Sequence, residues 1–386
     1  MKCPSCFRPL PPTPTTMGCV GPCATKLNPK ASAARGYDVY AGPVLQVEAA
    51  PPAGQPPAAI CGSCQVTSSS EVCPACAYPI PDGWRSSHLT CIALAGARAT
   101  GKSLLIAVSK QQLDLLVERH WASVVQGVGD TQSRFEQHYL APLYEQRRLI
   151  EPTRGIQAAD SITREPLIFQ FNEPVAEGHA PKRRVLVLRD VAGEDLENDT
   201  GNDAALDFFG RADAVLVLID PLTVKQIRDM LADIVPEPAH IGGEGVDVLR
   251  HVLALMTNRV PGARTKVPIA VVLSKVDVLQ KLRQVTGTKW AAIMSRPGSP
   301  LQRDRSLVSP HYDDEDGRLL HEEVDGLLDM LGARTIRAML DGTADTYRFF
   351  AASALGDSPD GDMLHSGGIA PFRALDPIKW AFNVQG

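Results

Sequence analysis

The residues of this chain best placed to do chemistry are Gly96, Ala97, Arg98, Ala99, Thr100, Gly101, Lys102 and Ser103, which follow the spacing G-x-x-x-x-G-K-S/T. Phosphate oxygens need many donors in a small volume. A loop whose backbone N–H groups point inward supplies them, and glycines permit the tight path. Lys102 is then placed for the β- and γ-phosphates, and the Ser103 hydroxyl for Mg²⁺. A second set follows the apolar run Val185–Leu188: Asp190, a carboxylate for the metal side, and Gly193, whose N–H would face the γ-phosphate. A third set, Ser274-Lys275-Val276-Asp277, follows the apolar run Ile269–Leu273. A carboxylate at Asp277 can accept two hydrogen bonds from the N1–H and amino group of guanine. Adenine lacks that donor pair, so the carboxylate selects GTP over ATP. The Lys275 stem would lie along the base. Ser353 and Ala354 follow the next apolar run, where a backbone N–H can meet the guanine O6.

Cysteine is the other chemically marked residue. Eight of nine fall into close pairs: Cys3/Cys6, Cys19/Cys23, Cys61/Cys64 and Cys73/Cys76. Paired thiolates at such spacing grip one side of a tetrahedral ion, and two pairs complete it, so two Zn²⁺ sites are expected. Two sequential ribbons are the simplest grouping; a crossed one, first pair with third and second with fourth, stays open. Cys91, alone in an apolar run, reads as a small buried residue.

These groups need elements to hold them. Apolar runs predict strands at Leu89–Ala95, Leu167–Phe171, Val185–Leu188, Ala214–Ile219, Ile269–Leu273 and Tyr347–Ala351. Helical periodicity predicts helices at Leu104–Val117, Gln132–Tyr139 and Val324–Leu340. The alternation implies an α/β fold with a mostly parallel sheet flanked by helices, of the P-loop NTPase type. Residues 1–80 are rich in Cys and Pro and poor in apolar periodicity, so metal must supply much of their stability. Within them, residues 42–59 read as a Pro/Ala-rich linker, and the nucleotide domain is expected over 86–386. Arg296–Gly317, with four acidic residues at 313–316, reads in part as an exposed loop. His120, His138, His311 and His321 lack partners at metal spacing, and Phe135 and Tyr139, four apart, mark a buried helix face.

The 386 residues carry a formal charge of −5, which gives no general attraction to nucleic acid or anionic lipid. The Cys-rich region has no basic, aromatic-rich strip, so protein contact is favoured over nucleic acid. No apolar run is long enough for a membrane span. The N-terminus, Met1-Lys2-Cys3-Pro4-Ser5-Cys6, lacks the apolar stretch of a signal peptide, so a cytoplasmic location is expected, where thiols stay reduced.

The order of phosphate loop, Asp190-Val191-Ala192-Gly193, Ser274-Lys275-Val276-Asp277 and Ser353-Ala354-Leu355 resembles the TRAFAC class of GTPases, whose nucleotide domain is Ras-like. Within that class the chain is similar to bacterial zinc-ribbon GTPases of predicted conflict systems, the double-GTPases. The likeness includes Val72–Cys76, Ala212–Pro221 and Asp376–Trp380. It implies Mg²⁺-dependent GTP binding and hydrolysis coupled to a conformational switch that acts through co-encoded proteins. It also implies a switch threonine that ligates Mg²⁺ with the γ-phosphate present. Thr153 is favoured for that role, with Thr163 as the rival. Departures from the pattern bear on turnover. Glu194 stands where many relatives carry the Gln that orients water, Ser274 replaces the usual Asn or Thr, and Arg98 and Ala99 replace small glycines. Two other functions stay open: a P-loop ATPase, and a non-hydrolysing, nucleotide-dependent scaffold that recruits protein through its zinc knuckles.

Overall fold

The computed structural model describes residues 1–47, 57–158, 161–175, 179–197, 203–232, 234–235, 245–285 and 289–384. Its centre is a seven-stranded sheet. In chain order its strands are β1 (His88–Gly96), β2 (Gln126–Gly127), β3 (Leu167–Glu173), β4 (Lys182–Asp190), β5 (Ala214–Ile219), β6 (Ile269–Leu273) and β7 (Tyr347–Ala351). Their spatial order is β7-β6-β5-β1-β4-β3-β2. Strands β7 to β4 run parallel, β3 is antiparallel to β4, and β2 is antiparallel to β3. Helices cover both faces, so strands such as β5 are buried throughout and read as unbroken apolar runs. The chain order reverses on either side of β1, and ligands of such sheets bind in the crevice beyond the carboxyl ends of the strands at that point. The loop after β1, the end of β4 and the loops after β6 and β7 all lie there.

Helix Lys102–Trp121 follows the phosphate loop and ends where Ala122 turns left-handed, its N–H donating to the Glu118 carbonyl at 3.2 Å. The helix expected at Gln132–Tyr139 begins as Thr131–Phe135 and continues as a π-helix over Glu136–Glu145. Pro142, which has no N–H to give an i−4 carbonyl, sits inside the wider part. Phe135 and Tyr139 are buried and stacked at 5.3 Å.

Two expectations are corrected here. The helix read as Val324–Leu340 is two, Asp314–Met330 and Arg334–Thr343, because Gly332 adopts a left-handed φ of 74° between them. The acidic segment is not a solvated loop. Asp313 caps the first of these helices by accepting from the Asp316 N–H, and the next three acids favour its positive N-terminal end. Asp316 is buried, paired with Arg373 at 2.5 Å and with Arg303 at 2.7 Å.

In the Cys-rich region, short antiparallel pairs join Thr16–Gly18 to Val44–Gln46, Lys26–Leu27 to Tyr40–Ala41, and Ala59–Ile60 to Thr67–Ser68. The expected linker therefore holds strand residues at both ends; its middle, 48–56, lies outside the described residues. Phe7, Leu10, Cys73 and Trp84 join the same hydrophobic core as the central sheet. Among the described residues, no helix is long and apolar enough to cross a membrane.

Candidate functional site

The loop from Gly96 to Ser103 links β1 to the long helix. Gly101 sits at φ 89°, a conformation that strains any L side chain, and Ala99 accepts φ 60° despite its Cβ. Lys102 is 7 % exposed and curls back over the loop, donating to the carbonyls of Gly96 at 2.6 Å and Ala97 at 3.0 Å. Burial lowers its pKa, while Asp190 and Glu197 pull it back up. Ser103 Oγ lies 3.0 Å from Thr153 Oγ1, so the phosphate loop and the 151–156 segment meet through two hydroxyls. Thr163, by contrast, is buried and pairs with Ser161 at 2.8 Å.

Asp190 ends β4 beside this pair of elements. Both of its carboxylate oxygens are buried, and among the described residues neither makes a hydrogen bond. Burial pushes its carboxyl up to about 6, partly opposed by Lys102 and the nearby Val191 amide. A buried carboxylate without donors is what a cation would satisfy, so Asp190 and the hydroxyls of Ser103 and Thr153 fit a hard, oxygen-seeking ion such as Mg²⁺.

Gly193 packs directly on the phosphate loop. A Cβ there would stand 2.4 Å from the Arg98 nitrogen and 2.7 Å from the Ala97 carbonyl carbon. The short helix Gly193–Glu197 carries three carboxylates to nearby backbone. Glu194 accepts from the Gly155 N–H, Asp195 from the Ile156 N–H at 2.9 Å, and Glu197 from the Arg98 N–H at 2.6 Å. Arg98 itself is exposed, its guanidinium 3.8 Å from Glu194. The 151–156 segment, the 193–197 segment and the phosphate loop are thus tied together by acids accepting from amides. Asp195 and Glu197 escaped the sequence reading because an acid in a loop carries no sign of the amide it will meet.

Beyond β6, Lys275 turns left-handed at φ 51° and reaches Asp220 at the end of β5, 2.5 Å away. Asp220 was also missed; its one local mark is its place between a buried strand and Pro221, where it caps the turn by accepting from the Leu222 N–H at 2.8 Å. Ser274 donates to the Ile219 carbonyl at 3.2 Å. Asp277 is 8 % exposed. Burial raises its pKa, and a hydrogen bond from the Ser353 hydroxyl opposes the rise. The loop after β7 is held there by Val276 N–H to the Ala352 carbonyl at 3.2 Å and by the Ser353–Phe372 backbone pair; Ala354 follows, half-buried. Lys275, Asp277 and Ser353 therefore share one end of the sheet with the phosphate loop.

The cysteines form two groups, and the grouping differs from the expected one. Cys3 and Cys6 meet Cys73 and Cys76; Cys19 and Cys23 meet Cys61 and Cys64. The pairs are nested, first with fourth and second with third, neither sequential nor crossed. The strand Thr16–Gly18 pairs with Val44–Gln46, and Met17 bridges to Glu71, which folds the middle of the region back between its ends. In the buried group Cys3/Cys6/Cys73/Cys76, the inner centre, the Sγ atoms lie 3.6 and 3.8 Å apart across the pairs, and in the more exposed group Cys19/Cys23/Cys61/Cys64, the outer centre, 3.6 and 3.7 Å. A tetrahedron with Zn–S bonds of about 2.3 Å has edges of about 3.8 Å, so both donor sets fit that ion. Cys91 is fully buried and belongs to neither group. Two of the histidines settle into structural hydrogen bonds: His120 with the Leu307 carbonyl and His321 with the Phe349 N–H.

The fold and these residues define the class, a P-loop protein of the GTPase type. The family model for Double-GTPase 2 matches residues 171–331, a span that holds Asp190, Gly193 and Asp277. The chain belongs to the double-GTPase family. Over its whole length it is 41% identical to a protein of Mycolicibacterium smegmatis titled "Putative ESX-1 scaffolding and assembly protein SaeC", of which it covers 99%. Among solved structures, the signal recognition particle receptor SRb-GTP/SRX complex from Chaetomium thermophilum aligns at 13% identity, over 72% of this chain and 95% of that one. Its TM-score of 0.28 is too low to equate residues.

Proposed function

We propose that this protein is a Mg²⁺-dependent switch that binds and hydrolyses GTP and changes its affinity for protein partners. The supporting observation is the convergence of Lys102, the buried Asp190 carboxylate, whose oxygens make no hydrogen bond among the described residues, and the Ser103–Thr153 hydroxyl pair at the end of the sheet that also carries Asp277. Asp277 accepts from the guanine edge, and Lys275, steadied by Asp220, packs along the base. The phosphate loop wraps the phosphates with its N–H groups, and Lys102 leaves its carbonyl partners for the β- and γ-oxygens. Ser103, Asp190 and Thr153 hold Mg²⁺, which supplies positive charge where negative charge develops. Gly193 offers its N–H to the terminal phosphate, and Glu194 positions the attacking water. On hydrolysis the contacts of Thr153 and Gly193 relax, and two segments change shape.

In this reading residues 1–80 are a metal-binding module stabilised by two Zn²⁺ ions, and the remainder is the nucleotide domain. The partner is a protein. The relative's title as a scaffolding and assembly protein supports an assembly role more directly than the conflict-system setting expected from the family. A second reading, a nucleotide-dependent scaffold without turnover, is favoured by Glu194, whose carboxylate is engaged by the Gly155 amide and would repel a γ-phosphate. Single-turnover phosphate release separates the two. Release that depends on Mg²⁺ and is lost in Lys102→Ala supports the switch. Tight GTP binding without release over hours supports the scaffold. Equal affinity for ATP and GTP would remove the guanine claim.

A further inference from the structure

We propose that the inner cysteine centre, Cys3/Cys6/Cys73/Cys76, is coupled to nucleotide occupancy through Arg189 as a positioning residue, and that the outer centre is not. The inference rests on the nucleotide-switch reading above. Arg189 immediately precedes Asp190 on β4 and is 2 % exposed. Its guanidinium donates to the Ser5 carbonyl at 3.0 Å and the Ser5 hydroxyl at 3.2 Å, and lies 4.8 Å from the Phe208 ring. Ser5 is buried inside the Cys3–Cys6 knuckle. Phe7, next to Cys6, meets Phe208 edge-on at 5.6 Å, and Arg8 pairs with Asp207 at 3.3 Å. One side of the knuckle therefore grips both the strand that ends in Asp190 and the segment that follows the 193–197 region.

The other side reaches the Thr153 segment. Arg35 donates to the Cys76 carbonyl at 3.0 Å and to Glu165 at 3.3 Å, and Tyr37 donates to Glu165 at 3.0 Å. Gln157, two residues beyond the Gly155 held by Glu194, donates to the Gly36 carbonyl. Four thiolates this close stay together only around a cation. Without it the knuckle loosens, Ser5 shifts, and Arg189, a buried charge that leans on Ser5, must move and carry Asp190 with it. Among the described residues, the backbone and side-chain hydrogen bonds of the outer knuckles themselves, 19–23 and 61–64, stay within residues 19–68, as in Val20 N–H to Ser68 and Cys19 N–H to the Pro43 carbonyl. Arg35, Gly36 and Tyr37 lie between those knuckles in the chain but make the contacts above from the end of helix Pro29–Arg35, not from a knuckle. That centre is an internal control.

Coupling between binding sites is reciprocal: if zinc strengthens the hold on nucleotide, nucleotide strengthens the hold on zinc by the same factor. The test is a titration of the full-length, two-zinc protein with a zinc-selective chelator, with excess Mg²⁺, in the presence and absence of GTPγS. The outer centre's step is assigned with Cys64→Ser. GTPγS should move the inner centre's midpoint by about tenfold, inside the usual 5–150-fold range of such couplings, and the outer centre's by less than about twofold. Arg189→Met, which keeps the bulk and removes the donors, should keep both zinc ions and abolish the difference. Should that variant not fold, Ser5→Ala, which removes one acceptor, should at least halve it. Calorimetry on the same samples reports GTPγS binding independently. Binding with an unmoved inner midpoint, or an equal shift at both centres, overturns the coupling alone. Absence of binding overturns the nucleotide reading, and the coupling with it.

Discussion

Asp277 offers the sharpest chemical test of the nucleotide reading. Its carboxylate is 8 % exposed, with its pKa raised by burial, so its charge is held at a cost that a ligand with two donors would offset. Guanine presents such a pair, N1–H and the exocyclic amino group. Hydrogen bonds to a charged acceptor contribute about 1.5–3 kcal/mol each, so the pair is worth about 3–6 kcal/mol. Asp277→Asn keeps one acceptor and turns an amide N–H₂ toward the guanine amino group, donor against donor. GTP affinity should fall by about 10²–10⁴-fold at about 1.4 kcal/mol per decade. Xanthine carries a carbonyl where guanine carries that amino group, so the variant should recover affinity for XTP. The assay is displacement of a fluorescent guanine nucleotide by GTP, XTP and ATP, with wild type and variant side by side. In wild type, GTP affinity should weaken as the pH falls toward the raised pKa of Asp277, because the protonated carboxyl accepts one bond fewer. The variant should lack this dependence. A GTP affinity in Asp277→Asn within threefold of wild type, with no gain for XTP, would refute the assignment.

Three further outcomes are expected. Thr153→Ala should erase the Mg²⁺-dependent preference for GTP over GDP. Thr163→Ala should leave that preference intact while lowering thermal stability by about 1 kcal/mol, the worth of one internal hydrogen bond. Gly193→Ala places a Cβ 2.4 Å from the Arg98 nitrogen, so the nucleotide-free protein should lose about 1–3 kcal/mol in denaturant unfolding, and phosphate release should slow. Asp316→Asn should cost about 3 kcal/mol near neutral pH by weakening the compensation of the buried Arg373. Burial acts to raise the Asp316 pKa, but the hydrogen bonds from Arg373 and Arg303 outweigh it and hold the value below the unfolded one. The contribution is therefore full above the unfolded pKa of about 3.9 and lost as pH falls through the lower folded value, so the gap to wild type should close in acid.

Burial of parallel strands on both faces made much of this fold legible. Ala214–Ile219 and Ile269–Leu273 agree with the sequence reading to the residue, because a strand with no solvent face has to be an unbroken apolar run. Tyr347–Ala351 agrees as well, although this edge strand carries half-buried Tyr347 and Arg348. Candidate site residues at strand ends, such as Asp190, Ser274 and Ser353, were legible for the same reason: a polar residue that closes such a run marks where the sheet meets solvent or ligand. The acids at 313–316 misled because a cap, a first helical turn and a buried ion pair have the same composition as a solvated loop. The helix at Val324–Leu340 misled because apolar residues recur at helical spacing on both sides of Gly332, and the break there shows in the sequence only as one five-residue step, from Leu331 to Ile336.

By itself, the chain's sequence determined the local chemistry: a glycine-bounded loop with phosphate-binding spacing, acids that close apolar strands, and thiols paired closely enough for metal. Those follow from spacing, and spacing is local. The tertiary structure decided who meets whom. It nested the cysteine pairs, chose Thr153 over Thr163 as the neighbour of Ser103, gave Lys275 its partner in Asp220, and set Arg189 against the inner knuckle. Such pairings join residues tens to nearly two hundred positions apart. Their geometry comes from how the sheet, the helices and the metal-binding hairpins pack together, and no short stretch of sequence records it.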